Sequence, residues 1–211
     1  MKKIMFNDKY GLTAAVLRGV KTQTRRDAMK LAYDYWNGKK LGDYPTLSLC
    51  EYVLQHAAYN VGDVVAVAQC YRDVYPNADF EIIDMQFMTE TPGWTNKMFV
   101  KAELMPHRIK ITRVRLQLLQ DISDEDCLKE GIFYDRENGK SVGYPFAVPF
   151  YYTYRGAFNT KTGTMLHWTT PREAYAVLID KISGKGTWER NPYVLAYDFE
   201  LVTNCNRLIQ Q

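Results

Sequence analysis

Alternation of apolar and polar residues predicts two long strands in the chain. From Arg108 to Leu118 every second residue is apolar, and the alternation shifts phase by one position after Thr112. Because successive side chains of a strand point to opposite faces, this shift predicts a β-bulge near Thr112–Arg113. In residues 193–202, Leu195, Tyr197, Phe199 and Leu201 fall on one face and Val194, Ala196, Asp198 and Glu200 on the other, which predicts the final strand. The Val- and Ala-rich residues 63–70 predict a strand that is buried on both faces.

Helix signals occupy much of the remaining chain. Asp8 to Leu17 predicts a short helix, with Gly19 as its left-handed stop, and residues 27 to about 36 predict a second. Three further helix starts have a capping residue followed by an acid three positions later; they are Ser48-x-x-Glu51, Ser123-x-x-Asp126 and Thr170-Pro171-x-Glu173. About five strands and five helices in this order predict an α+β fold.

Composition narrows the class of protein without identifying a ligand. The chain has 211 residues, 46% of them hydrophobic, and 27 basic against 24 acidic residues give a net charge of +3. This charge by itself does not indicate nucleic-acid binding. The four cysteines and three histidines are too scattered for a zinc motif, and no apolar run is long enough for a signal peptide or a membrane span. We therefore expect a single cytoplasmic domain over residues 1–211, with no metal, cofactor or membrane partner.

The positive charge is concentrated near the N-terminus. Residues 1–26 contain seven Lys or Arg and one acid. After Gly19 we predict a loop in which the cations Lys21, Arg25 and Arg26 alternate with the hydroxyls of Thr22 and Thr24. Such a loop suits a phosphate, a carboxylate or a polarised carbonyl. The alternative for Lys21 is an ordinary solvated lysine, and for either threonine a hydroxyl that stabilises a turn.

Four segments in order resemble the ASCH domain, a branch of the PUA-like superfamily. Residues 19–26, Gly-Val-Lys-Thr-Gln-Thr-Arg-Arg, resemble its G-x-K-T-x-T-R-R motif. Residues 59–64, 119–132 and 185–194 are similar to later conserved segments of that family. The resemblance implies a PUA-like small mixed β-barrel decorated by helices. It also implies a helical insertion at about 27–58 and an aromatic-rich insertion at about 133–168.

The resemblance also implies a function, in two forms. The first is binding of RNA or a modified, nucleoside-like ligand in a pocket formed by the Lys21–Arg26 loop. The second is amide hydrolysis, because one bacterial member of the family is an amidohydrolase that acts on N4-acetylcytidine. Its catalytic groups correspond by motif to Lys21, Thr24 and Glu130. We rank binding slightly above hydrolysis, since one matched K-x-x-T does not establish turnover.

Other residues bear on these two alternatives. Glu130 ends a predicted helix, where the helix dipole disfavours a carboxylate, and a nearby Lys21 would explain its position. We assign ligand binding to Thr22, Arg25, Arg26, Gln69 and Arg113. Gln69 stands where longer relatives carry an acid in a "VRETW" segment.

RNA binding along the predicted strand of residues 108–118 is a further alternative. Its cations are Arg108, Lys110, Arg113 and Arg115 on the strand, together with Lys21, Arg25 and Arg26, and aromatic side chains from residues 144–158 could stack on bases. The competing interpretation is that these cations form the solvated face of the strand and that the aromatic segment packs as a lid.

Overall fold

A computed structural model describes residues 1–41, 46–74, 89–135, 150–153, 158–159, 164–165 and 168–202. Most of the strands belong to one sheet. Their bounds are β1 (Lys3–Ile4), β2 (Gln23–Asp27), β3 (Val64–Val67), β4 (Arg108–Leu118), β5 (Ile132–Asp135), β6 (Phe150–Thr153), β7 (Phe158–Asn159), β8 (Thr164–Met165) and β9 (Tyr193–Val202). The predicted strand at residues 63–70 is shorter than expected, and the final strand has the predicted bounds.

The sheet has five strands in the order β1-β3-β4-β9-β2. Strand β1 is parallel to β3, and the other neighbours are antiparallel. Among the described residues this mixed sheet is not closed, with β1 and β2 at its two edges, so the α+β class is confirmed and closure of the expected small mixed β-barrel is not. Strand β1 pairs with β3, and from the opposite edge the side chain of Arg26 in β2 donates a hydrogen bond to Met5 O, directly after β1.

The β-bulge in β4 is confirmed. The register with β9 shifts between Ile111 and Arg113, so Thr112 is the extra residue. Beyond the shift Arg113 lies opposite Asp198, and Arg115 lies two positions further along the same strand. The sequence signal is simple, because one inserted residue must reverse the faces of all the residues that follow it.

Helices cover the sheet, and their caps agree with the sequence signals. Their bounds are α1 (Leu12–Leu17), α2 (Met29–Leu41), α3 (Leu49–Gln55), α4 (Tyr71–Val74), α5 (Asp124–Lys129), α6 (Pro171–Ser183) and α7 (Thr187–Arg190). Ser48, Ser123 and Thr170 each accept a hydrogen bond from the backbone N–H three residues later, as predicted. The helix predicted from residue 8 is divided at Gly11, whose φ of 68° interrupts it.

The main hydrophobic core lies between the sheet and the helices α1, α3 and α6. Ile109, Ile111 and Phe199 contribute from the sheet, while Val53 and Leu178 contribute from helices. Burial of each such side chain stabilises the fold by about 1.5–3 kcal/mol. A second, smaller core near β3 contains Ala66, Ala68, Tyr71, Val74, Val100, Ala102 and Met105.

The aromatic segment is only partly described. Strand β5 pairs antiparallel with β6, and β7 with β8. Phe146 and Tyr154, two of the aromatic residues proposed to stack on bases, lie outside the described residues. Within the described part of the chain, no helix is both long enough and apolar enough to cross a membrane.

Candidate functional site

Strand β2 places the cationic motif inside the protein. Gly19 adopts a φ of 71° and ends the turn after α1, as predicted. The predicted loop is wrong from residue 23 onward, because Gln23–Asp27 pairs antiparallel with β9. Just before it, Thr22 N–H donates to Lys129 O, and Phe199 N–H donates to Thr22 O, each at 2.9 Å. The motif is therefore fixed between the end of α5 and the sheet.

Lys21 is a buried ion-pair partner rather than a solvated lysine. Its side chain is 2% exposed. Its Nζ donates to Glu130 Oε2 at 2.6 Å, to Glu130 O at 2.9 Å and to Gln23 O at 2.7 Å. Burial lowers the pKa of the Lys21 ammonium, and the attraction of Glu130 offsets this only in part. The side chain of Lys21 therefore loses its proton to form the neutral amine more readily than a lysine in water.

Glu130 has two cationic partners, one on each carboxylate oxygen. Lys21 binds Oε2, and Arg25 donates through one guanidinium nitrogen to Oε1 at 2.9 Å. Glu130 follows the last residue of α5 and is buried. Glu130 thus faces Lys21. The two positive charges offset the unfavourable interaction of the Glu130 carboxylate with the negative, C-terminal end of the helix dipole.

The Lys21–Glu130 pair continues into a larger ion cluster. Arg25 also binds Asp126 at 3.1 Å, and Arg115 binds both Asp126 and Asp198 at 3.3 Å. The cluster consists of three cations and three carboxylates: Lys21, Arg25, Arg115, Glu130, Asp126 and Asp198. When all are ionised, these six charges cancel, and the exposed Lys129, 3.5 Å from Asp126, adds one more cation at the edge of the cluster. Such pairing makes several buried charges tolerable in one place.

Charge and burial within the cluster shift two more pKa values. Burial disfavours the carboxylate of Asp126, but Arg115 and Arg25 outweigh it and lower the pKa. Burial also disfavours the charged guanidinium of Arg25, yet Glu130 and the other negative partners raise its pKa. The Gln23 side chain links two members of the cluster, because it donates a hydrogen bond to Asp198 and accepts one from Arg25.

A cavity of about 420 Å³ lies beside the ion cluster, between the two edge strands and α6. Its lining contains residues 5–7, Leu12, Lys21, residues 24–27 and Glu130, together with one face of α6 formed by Tyr175, Leu178, Ile179, Ile182 and Ser183. One wall is therefore aliphatic, while the opposite side presents cations, a hydroxyl and carboxylates. The cavity lies where the sheet is open, between β2 and the residues that follow β1.

Most of the predicted site residues meet at the cavity. Lys21, Thr24, Glu130, Arg25 and Arg26 all line it. Thr24 is buried, but the three hydrogen bonds of Lys21 Nζ go to Gln23 and Glu130 rather than to its hydroxyl.

Arg26 lies nearer the surface than Arg25. It donates to Met5 O at 2.5 Å, and its guanidinium carbon lies 5.8 Å from the centroid of the Phe6 ring. Arg25, by contrast, is committed to the carboxylates of the ion cluster.

Three predicted residues are not part of the lining. Thr22 uses its backbone to join α5 and β9, Arg113 is exposed on β4, and Gln69 lies beyond β3 with its N–H directed to Met105 Sδ. The described residues contain no group of three or more His, Cys, Asp or Glu side chains placed to hold a metal ion.

Sequence reasoning missed Tyr175, Asp126, Asp198 and Arg115 as members of the site. Tyr175 is 2% exposed and lines the cavity, whereas its hydroxyl oxygen is fully buried and makes no hydrogen bond of regular geometry in the described part of the chain. Helical spacing from Leu178, Ile179 and Ile182 indicates that Tyr175 faces inward. It gives no sign of the geometry of the hydroxyl.

Comparison of the chain with protein-family models, with curated proteins and with solved structures finds no match.

Proposed function

We propose that the cavity binds a nucleoside-like small molecule. The observation that carries this proposal is the convergence of Lys21, Thr24, Arg26 and Glu130 on one cavity of about 420 Å³. This volume falls in the range of about 300–1,000 Å³ that is usual for small-molecule sites. The resemblance of residues 19–26 to the ASCH motif supports the same class of ligand.

The lining suits a flat, polar ring. Leu178, Ile179 and Ile182 offer an apolar surface to the face of a base, while Arg26 and Thr24 offer donors to its edge. Phe6 lies beneath the guanidinium of Arg26 and extends the flat surface. A ligand with an aromatic face and several hydrogen-bonding groups at its edge would use both sides of the cavity.

A small ligand agrees with these contacts better than a strand of RNA bound along β4. Arg115, one of the four cations on β4 that are expected to contact RNA, is instead paired with Asp126 and Asp198. Lys110 and Arg113 are exposed on β4, outside the cavity lining. The cations therefore do not form one continuous surface with the pocket.

Amide hydrolysis is a second candidate, favoured by the 2.6 Å approach of Lys21 Nζ to Glu130 Oε2 beside Thr24. With its lowered pKa, neutral Lys21 can take a proton from the Thr24 hydroxyl or from a water that the hydroxyl positions. The oxygen then attacks the amide carbonyl. As the carbon–nitrogen bond breaks, that proton passes through Glu130 to the leaving amine. Attack by water gives the acid directly, whereas attack by Thr24 gives an acyl-threonine ester that a water then hydrolyses to the acid and the free hydroxyl. Arg26 can stabilise the developing oxyanion.

The proposed binding site is tested by calorimetric titration of the protein with cytidine and N4-acetylcytidine. Ser183→Trp places a large side chain at the cavity rim, so we expect it to abolish binding of both nucleosides. Lys181→Trp is the matched control, since Lys181 is exposed on the same helix outside the lining. Absence of binding to the wild type, or equal affinity in both variants, contradicts the proposal.

Hydrolysis is tested separately by incubation with N4-acetylcytidine and chromatography of the products. Thr24→Val keeps the shape of the side chain and removes its hydroxyl. If the cavity is catalytic, the wild type releases cytidine and acetate, and the variant binds the substrate without releasing them. Binding by the wild type without turnover removes the second candidate and leaves the first.

A further inference from the structure

Arg26 is a cation of the cavity lining that no carboxylate neutralises in the described part of the chain. Its side chain donates a hydrogen bond to Met5 O, which is an uncharged acceptor. The other cations of the site, Lys21, Arg25 and Arg115, each bind at least one carboxylate. Arg26 therefore contributes a positive charge to the cavity without an ion-pair partner among the residues that the structure describes.

The two carboxylates of the lining are engaged elsewhere. Glu130 binds two other cations, one on each oxygen. Asp27 accepts a hydrogen bond from Met29 N–H at 2.7 Å, at the start of α2. Neither carboxylate forms an ion pair with Arg26, so a ligand that brings a negative group would supply the missing partner.

The free N–H groups of Arg26 are accessible to such a ligand. A guanidinium carries several N–H groups, and within the described residues only the one directed to Met5 O has an acceptor. The other side-chain nitrogens of Arg26 keep accessible surface, unlike Arg25 Nε, which is fully buried. The Thr24 hydroxyl and the side-chain N–H groups of Asn7, both in the lining, also donate to no acceptor in the described chain. Further donors are thus available at the same cavity.

The geometry points to an anion subsite at Arg26, so that the cavity takes a nucleotide, which is a nucleoside carrying a phosphate, in preference to the free nucleoside. This inference rests on the proposed function and names the class of ligand for the same site. An arginine suits a phosphate because its planar fork can donate two parallel hydrogen bonds to the phosphate oxygens. Hydrogen bonds of this charged kind are about twice as strong as neutral ones.

The neighbourhood of Arg26 also favours an anion. Burial is the main cause of the lowered pKa of Lys21, and the positive charge of Arg26 adds to it, so the two cations lie close together. A phosphate between or beside them would reduce this repulsion, whereas a neutral nucleoside would leave it unchanged. The aliphatic side of α6 remains available to the base.

Calorimetry with cytidine and with its 5′- and 3′-monophosphates, all at one ionic strength, tests the subsite. Arg26→Gln removes the charge and the fork, while Arg26→Lys keeps the charge alone. Arg113→Gln serves as the control for net charge, since Arg113 is an exposed cation of β4 outside the cavity lining. Tm without ligand is measured for each variant to show that it remains folded.

The quantity to compare is the ratio of the affinities for monophosphate and cytidine, because any contact of Arg26 with the base affects both ligands. At least one monophosphate should bind the wild type about 10-fold or more tightly than cytidine, the effect of a hydrogen bond to a charged group. In Arg26→Gln this ratio should fall to about 1, and Arg26→Lys should lie between the two. Arg113→Gln should keep the wild-type ratio.

The remaining outcomes separate the inference from the proposed function. A wild type that binds cytidine as tightly as both monophosphates, or more tightly, overturns the inference and leaves the proposed function standing. A wild-type ratio in Arg26→Gln also overturns it, because another group would then hold the phosphate. An equal loss of the ratio in Arg113→Gln would assign the preference to the net charge of the protein, with the same consequence. A wild type that binds none of the three compounds overturns the proposed function and this inference with it.

Discussion

Lys21 Nζ lies 2.6 Å from Glu130 Oε2, although the two residues are 109 positions apart in the sequence. The pair joins the segment that follows α1 to the end of α5, and both side chains are buried. A buried ion pair is not in itself stabilising, since each charge loses its hydration. Here Arg25 and two backbone carbonyls satisfy the groups that the pair leaves free. The buried charges of Lys21 and Glu130 are therefore fully satisfied only while Arg25 and the two carbonyls are in place.

Removal of either member of this pair should destabilise the protein, and removal of both should cost less than the sum. Lys21→Met leaves Glu130 with Arg25 as its one remaining cation, and Glu130→Gln leaves the buried Lys21 ammonium without a carboxylate, so we expect each to lower the free energy of unfolding by about 3 kcal/mol. The double variant leaves neither charge. Chemical denaturation of the four proteins gives the coupling free energy, expected to exceed about 1 kcal/mol. Additive effects would show that the two groups do not interact.

Local patterns predicted the parts of the fold whose cause is local. The bulge at Thr112 follows from alternation within one strand, and the helix starts at Ser48 and Thr170 follow from residues three positions apart. The final strand, residues 193–202, has a large apolar side chain at every second position from Leu195 to Leu201. In each case the information lies within about ten residues.

The predicted loop at residues 23–27 failed for the opposite reason. Gln23 to Asp27 has no apolar alternation, and its buried Gln23 and Arg25 side chains bind carboxylates of α5, Glu130 and β9, which are distant in the sequence. Nothing near β2 in the sequence reveals those partners. The resemblance of residues 19–26 to a family motif nonetheless selected Lys21 and Glu130, which the structure brings together.

Loss of the cap of α5 should affect the site more than loss of an equivalent cap elsewhere. Ser123 begins α5, which carries Asp126 and leads into Glu130, while Ser48 begins α3, outside the cavity lining. Ser123→Ala and Ser48→Ala should each lower the free energy of unfolding by about 1 kcal/mol. Only Ser123→Ala is expected to weaken nucleoside binding as well. Equal affinity in the two variants would mean that the position of Glu130 does not depend on this cap.

Cys127 should make the protein lose stability in alkali. Burial raises the pKa of its thiol from 9.0 to about 12. Between these values the unfolded chain loses the thiol proton and the folded chain keeps it, so stability is intact below pH 9 and falls as the pH rises. The loss from this group is about 1.3 kcal/mol between pH 8 and pH 10.

Comparison of pH profiles isolates this contribution. Cys127→Ala removes the titrating group, so the free energy of unfolding should fall less steeply from pH 8 to pH 10 than in the wild type. Cys50→Ala removes an exposed thiol and is expected to keep the wild-type slope. The slopes are compared rather than the absolute values, because Cys127→Ala also leaves a small void in the core. A wild-type slope in Cys127→Ala would assign the alkaline loss to other groups.

The positions of Arg26 and Arg113 distinguish a nucleoside pocket from an RNA surface. Arg26 lines the cavity, whereas Arg113 is exposed on β4 outside it. If the ligand is a nucleoside, Arg26→Ala should weaken cytidine binding about 10-fold, the loss of a hydrogen bond from a charged donor, and Arg113→Ala should have no effect.

If RNA lies along β4, Arg113→Ala should weaken binding of a short single-stranded oligonucleotide and reduce its salt dependence. Calorimetry with cytidine and fluorescence anisotropy with the oligonucleotide at several salt concentrations separate the two. A strong effect of Arg113→Ala together with none from Arg26→Ala would move the binding site from the cavity to the strand.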